Sequence, residues 1–240
     1  MNTAMTPRNR SALSPLAAQA FTLIELLVVI GLIAVLAGGI GLSLGQGNSG
    51  VALQSSQATL SSGLSGARAQ AALNQASAGL FVNTDTSTDG FLRELRIAAL
   101  TDHDNNSATP AVWVVRGDPI FFSQGVYLVP PTTAGFSATE VGFQPAVADW
   151  VDARSTSYDL ANTPLYLSNG TTALGPTYRR LVILSETGTT ANNGRLVLAP
   201  ADVLPGGTGI SFKNAEFLRG VRVSRYGVAT TIVGAEGYLN

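Results

Sequence analysis

The most informative features of this 240-residue chain are the residues it lacks. It has no cysteine and a single histidine, His103. The absence of cysteine excludes disulfides and thiolate metal sites. One histidine gives no support to a multi-histidine zinc centre or a Ser-His-Asp triad, so we predict no enzyme and no cofactor. The formal net charge of −1 indicates neither nucleic acid nor acidic lipid as a partner.

Charge is scarce, and one region has none. No charged residue occurs between Glu25 and Arg68, and residues 26–44 contain nothing more polar than Ser43. A helix of that length, at about 1.5 Å per residue, spans a hydrocarbon core of about 30 Å. The sequence therefore predicts a transmembrane helix. Basic residues upstream, Arg8 and Arg10, place the N-terminus in the cytoplasm and the remainder outside.

Glu25 is anomalous at the start of such a segment. A carboxylate inside a bilayer costs about 2.5–3.5 kcal/mol on insertion scales and is retained where something pairs with it. Two simpler interpretations are a cleaved secretory signal peptide and an uncleaved single-pass anchor. Signal peptides have shorter apolar regions, of about 7–15 residues, and a plain anchor has no use for the acid.

The segment from Ala20 to Gly31, AFTLIELLVVIG, resembles the N-terminal cleavage and methylation signature of type IV pilins and type II secretion pseudopilins. The resemblance implies that a prepilin peptidase/methyltransferase cuts the Ala20–Phe21 bond and methylates the new N-terminus of Phe21. It also implies that Glu25, the fifth mature residue, sets the filament register. The family usually has glycine before the cut, so Ala20 is a departure that can slow processing.

The implied chemistry is sensible in its own right. Cleavage creates an α-amine on Phe21 with an ordinary pKa of about 8, beside the unsatisfied N–H groups of a helix start. We expect Glu25 of a neighbouring subunit to neutralise this amine within the membrane. The expected partners are therefore other pilin or pseudopilin subunits and the assembly platform in the inner membrane.

These patterns predict an α+β, pilin-like fold, in which a long N-terminal helix, transmembrane and then amphipathic, packs on an antiparallel β-sheet. The apolar stripe of the amphipathic part comprises Leu53, Leu60, Leu64, Ala67 and Ala71. The glycines within residues 38–50 have two possible roles: they let the helix bend, or they allow it to pack closely against other membrane helices. The predicted organisation is a basic leader (1–20), a transmembrane and assembly helix (21–45), its amphipathic continuation (46–77) and an extracytoplasmic β-rich domain (78–240).

Eight strands are predicted from runs of β-branched and aromatic residues between turn signals. They are Gly79–Val82, Leu92–Ala98, Ala111–Arg116, Val126–Val129, Tyr178–Leu184, Arg195–Ala199, Arg219–Tyr226 and Val228–Val233. The second lies in an ambiguous segment, Phe91–Leu100, because Leu92, Leu95 and Ala99 also fit a helical face. Tight turns are predicted at Asn169–Gly170, Asn193–Gly194 and Tyr226–Gly227. Residues 132–177 are predicted to be irregular.

One weak metal candidate lies in the polar segment around His103. Asp102, Asp104 and Asn106 have the alternate spacing of a calcium loop. The sixth position is Ser107 instead of glycine, and the twelfth is Trp113 instead of glutamate. Because this ligand set is incomplete, we predict no metal site here.

The outer domain also resembles, in three short segments, the H-type minor pseudopilins and their pilus counterparts. The segments are Leu64–Ala72, Phe122–Leu128 and Tyr178–Gly188. A divergent major subunit fits them equally.

Two functions are compatible with the sequence. The first is a structural subunit of a type II secretion pseudopilus or type IV pilus, single-pass in the inner membrane, with a periplasmic domain and a filament in the periplasm or at the cell surface. The second is a non-polymerising, membrane-tethered binding or adhesion domain.

Overall fold

The computed structural model describes residues 23–101, 111–131, 136–137, 140–144, 150, 153–157, 162–191, 193–205 and 209–234, with the side chains of residues 34–48 left out. The chain divides into two compact units, Met1–Gly45 and Gln46–Asn240. The second unit contains every described strand.

A single helix, α1, runs from Leu23 to Asn74 and is helical through the glycine-rich stretch. It ends where Gln75 adopts a left-handed backbone, with φ of 49°. In the second unit the predicted apolar stripe is buried, and this prediction is confirmed. The stripe residues are Leu53, Leu60, Leu64, Ala67 and Ala71.

The strands form two sheets, where the sequence predicted one. The first has the order β7-β9-β1-β2-β3-β8, with β4 paired to β2. Its strands are β1 Ala78–Asn83, β2 Glu94–Thr101, β3 Val112–Val115, β4 Ile120–Phe121, β7 Asn162–Thr163, β8 Leu165–Tyr166 and β9 Tyr178–Leu184. The second has the order β13-β12-β10-β11-β6, with β5 paired to β10. Its strands are β5 Val126–Leu128, β6 Val141–Phe143, β10 Gly194–Val203, β11 Ile210–Phe212, β12 Arg219–Val223 and β13 Ala229–Val233.

All eight predicted strands are present, and the described part of the chain is of the α+β class. The ambiguous second strand is β2, preceded by a turn in which Leu92 has φ of 50°. The turns at Gly170 and Gly227 are confirmed by their positive φ angles. The turn at Asn193–Gly194 is wrong, because Gly194 opens β10 and pairs with Val223 of β12.

The prediction of an irregular segment over residues 132–177 is also wrong in part. It contains the short strands β6, β7 and β8. These strands have two or three residues each, too few to show an alternating pattern. Pairing with β11, β9 and β3, respectively, holds β6, β7 and β8 in place.

One hydrophobic core joins the stripe of α1 to both sheets. The helix approaches the first sheet closely, since a Cβ at Gly63 would lie 3.3 Å from Leu80 of β1. A smaller cluster lies around Phe81 and Tyr178. Trp150 is fully buried against Phe143 and Phe212.

A buried glutamine fixes α1 on the second sheet. The Gln57 amide nitrogen donates to the carbonyls of Gly220 (2.6 Å) and Ile232 (2.8 Å), on β12 and β13. Its amide oxygen accepts from Arg219 Nη1 at 3.4 Å. Because these bonds need one axial position of the helix, Gln57 specifies how α1 sits on these strands.

A buried carboxylate, Glu94, organises the first sheet. It accepts hydrogen bonds from the Tyr178 hydroxyl (2.9 Å), Asn83 Nδ2 (3.0 Å) and Arg96 Nε (2.7 Å). The residue is 7% exposed. A buried polar network stabilises a fold when each of its members has a hydrogen-bond partner. These three bonds therefore tie β1, β2 and β9 together at Glu94.

Tyr178 gives this network a pH dependence. Burial, with the hydrogen bond to Glu94, raises the pKa of Tyr178 from 10.0 to about 12. Above pH 10 the unfolded chain loses this proton while the folded chain keeps it. The stability that depends on the protonated hydroxyl is therefore present below pH 10 and lost as the pH rises to about 12.

We expect Tyr178→Phe to remove that alkaline loss of stability, measured as Tm against pH. Tyr226→Phe, at a residue 71% exposed, is the control and should match wild type.

Candidate assembly site at the N-terminal helix

The first described turns of α1 are apolar on every side. Apart from Glu25 and Gly31, residues 23–33 are all leucine, isoleucine or valine. Each of these side chains is exposed, from 50% at Val29 to 83% at Leu23. A helix that is apolar all round is one that a membrane or other subunits cover. Residues 23–33 therefore present a surface that needs a partner.

Glu25 lies in the first turn of this helix as the structure describes it. The first backbone N–H groups of a helix lack intrahelical acceptors and carry partial positive charge. An acid there is favoured locally by the helix and opposed by its apolar surroundings.

Gly31 lies six residues, or about one and two-thirds turns, beyond Glu25. A Cβ added at Gly31 would have no atom within 4 Å among the described residues. Nothing within that part of the chain therefore requires glycine here. Small residues on apolar helices allow another helix to approach closely.

Several predicted site residues lie outside the described residues. These are Ala20 and Phe21 of the processing site, and Asp102, Asp104 and Asn106 of the weak calcium candidate. Within the described ranges, no group of three or more histidine or acidic side chains could hold a metal ion.

Among the residues described, no helix is long and apolar enough to cross a membrane. Residues 34–45 of the predicted membrane segment lie outside the set whose side chains are described.

Comparison with protein-family models decides what the N-terminal segment is. The model described as the prokaryotic N-terminal methylation motif matches residues 16–41. This chain carries a prepilin-type signal. The match contains the bond Ala20–Phe21 and the acid Glu25, so the resemblance to type IV pilins and pseudopilins is confirmed for this segment. No curated protein matches the chain, and no solved structure does.

The methylation motif has direct consequences for the chain. It is the signal of precursors that a prepilin peptidase processes.

Proposed function

We propose that the chain is a structural subunit of a type II secretion pseudopilus or a type IV pilus. In this proposal the leader is cut after Ala20, Phe21 is N-methylated, and the subunit polymerises through its N-terminal helix. The observation that carries it is one segment with two properties. Residues 16–41 match the methylation motif, and residues 23–33 form a helix with exposed apolar side chains on all sides.

The apolar segment serves two environments in turn. Before assembly it is the single membrane span of the precursor, in the inner membrane, with the N-terminus cytoplasmic and the outer domain periplasmic. After assembly the same side chains are covered by neighbouring subunits in the filament. An all-round apolar helix suits both, because lipid and packed helices are each apolar surroundings.

The axial register follows from one ion pair. The Phe21 amine of an incoming subunit pairs with Glu25 of its neighbour, which offsets the two helices by four residues, or about 6 Å. Residue n of one subunit then lies level with residue n + 4 of the next. The same pair neutralises both charges in an apolar medium, where either alone is costly.

The outer domain is proposed to be pilin-like and of the H-type minor class. The three segments that suggest this class have structural roles here. Leu64–Ala72 forms the last turns of α1, Phe122–Leu128 leads into and forms β5, and Tyr178–Gly188 forms β9 and the turn after it. A divergent major subunit and a non-polymerising adhesion domain are the alternatives.

Cysteine cross-linking tests polymerisation cleanly, because the chain has no cysteine of its own. Leu23→Cys/Leu27→Cys places two thiols at the n and n + 4 levels. Expressed with the chain's assembly system and oxidised, this variant is expected to give a ladder of covalent multimers. The control Leu23→Cys/Ile33→Cys misplaces the thiols by about 9 Å along the axis and should give no ladder. Equal ladders from both pairs, or none from either, would contradict the proposed register.

A further inference from the structure

A groove of about 700 Å³ opens on the outer domain, between the β1–β2 connection and the end of β10. Its volume lies within the usual range of ligand sites, about 300–1,000 Å³. The lining residues on which the argument below depends are Asp89, Arg93, Asp202, Val203 and Ile210.

One wall of the groove is a strand edge. The Ala201 N–H donates to the Gly125 carbonyl at 3.0 Å, on the side of β10 opposite β11. Because backbone groups alternate along a strand, the N–H and C=O of Val203 point to that same side. Beyond Gly125 the neighbouring chain turns away, since Gly125 has φ of 79° and Val126 N–H donates to Ser123. Among the described strands, none pairs with Val203 there.

Val203 itself is apolar and 58% exposed. The buried side chain of Ile210, its partner on β11, lines the same groove. An extended peptide beside β10 would thus find backbone hydrogen-bonding groups and apolar surface together. These are the two elements of recognition by strand addition.

Arg93 supplies the charge in the groove. Its Nε is buried and has no hydrogen-bond partner, while Nη2 donates to the Phe122 carbonyl at 3.3 Å. The guanidinium lies 5.8 Å from the centre of the Tyr127 ring. In the described part of the chain no carboxylate forms a salt bridge with it. A guanidinium that lines a groove and has no carboxylate partner among the described residues is suited to bind a carboxylate from another molecule.

The other charges of the groove limit what can occupy it. Asp202 forms an exposed ion pair with Lys213. Asp89 remains as a negative group at the lining. A run of acidic residues would be repelled there, so the occupant has one carboxylate among uncharged residues.

We propose that this groove binds an extended segment of a partner protein, which adds a short strand along β10 at Val203 and places one carboxylate on Arg93. The peptide backbone provides affinity through Val203, and the carboxylate provides selectivity through Arg93. The inference is independent of polymerisation, since it uses no residue of the N-terminal helix.

The test uses the full chain in detergent and a library of blocked pentapeptides with central glutamate and randomised flanking residues. A matched library has central glutamine. We expect glutamate peptides to be enriched and to bind at least tenfold more tightly than their glutamine counterparts by fluorescence anisotropy. Arg93→Gln should abolish that preference. Val203→Pro removes the edge N–H without removing a bond to β11, and should weaken both peptides at least tenfold.

Arg222→Gln is the matched control, because Arg222 is an exposed arginine on β12 outside the groove lining. This variant should bind both peptides with the affinity of the wild-type chain. An unchanged Tm is required of each variant used. No enrichment from the library, equal affinity for the paired peptides, or binding unaffected by both groove variants would overturn the proposal. Full competition by acetate at the peptide's own concentration would overturn it as well, because it would indicate a small-carboxylate site.

Discussion

A chain in which Glu25 is replaced by alanine is expected to be processed as wild type and to be missing from filaments. Processing depends on the residues around the cut, and the peptidase acts before subunits meet. In the proposed mechanism, assembly depends on a carboxylate that receives the Phe21 amine. Loss of one member of a buried pair costs about 3–5 kcal/mol, which corresponds to at least a hundredfold loss of assembly.

The cross-linked ladder of the Leu23→Cys/Leu27→Cys variant measures this effect directly. Glu25→Ala in that background should leave the chain cleaved and reduce the ladder to monomer. Glu25→Asp retains a carboxylate on a shorter side chain and should retain part of the ladder. Leu26→Ala, a neighbouring truncation without loss of charge, is the control and should assemble. If Glu25→Ala assembled as well as wild type, its role in the register would be wrong.

The second large effect is expected in the outer domain, at Glu94. Glu94→Leu keeps a similar volume and removes the acceptor shared by Tyr178, Asn83 and Arg96. Three donors then lose their common partner, with a cost of about 3–5 kcal/mol. Since domains have about 5–15 kcal/mol of stability in all, this variant should be near or beyond its threshold.

Glu94→Gln is the matched control, because it retains one acceptor oxygen in the same position. Its expected loss is smaller, about 1–3 kcal/mol. Urea unfolding of the full chain, followed by tryptophan fluorescence, reports on the outer domain alone because Trp113 and Trp150 both lie there. Equal stability of the leucine and glutamine variants would show that the carboxylate network does not hold the sheet.

Local sequence predicted those parts of the fold that depend on local pattern. The stripe from Leu53 to Ala71 has helical spacing, and the longer strands have β-branched runs. Gln57 could have been identified too, because it lies four residues after Leu53 and three before Leu60, within the stripe. A polar residue in that position is one that must find partners in the core.

The remainder depends on tertiary structure and leaves no local signal. The division into two sheets depends on which strands pair, and β7 and β8 are too short to be recognised alone. The groove is lined both by Arg93, in the turn before β2, and by Val203, at the end of β10. By contrast, the motif from Ala20 to Gly31 is contiguous, so the amino-acid sequence alone is enough to recognise it as a prepilin-type signal.

N-terminal sequencing of the mature chain, isolated from cells that express its prepilin peptidase, tests the central claim most directly. We expect a chain that begins with N-methylated Phe21 and lacks the 20-residue leader. A mature chain that begins at Met1, or after a cut at the far end of the apolar segment, would contradict the proposed processing.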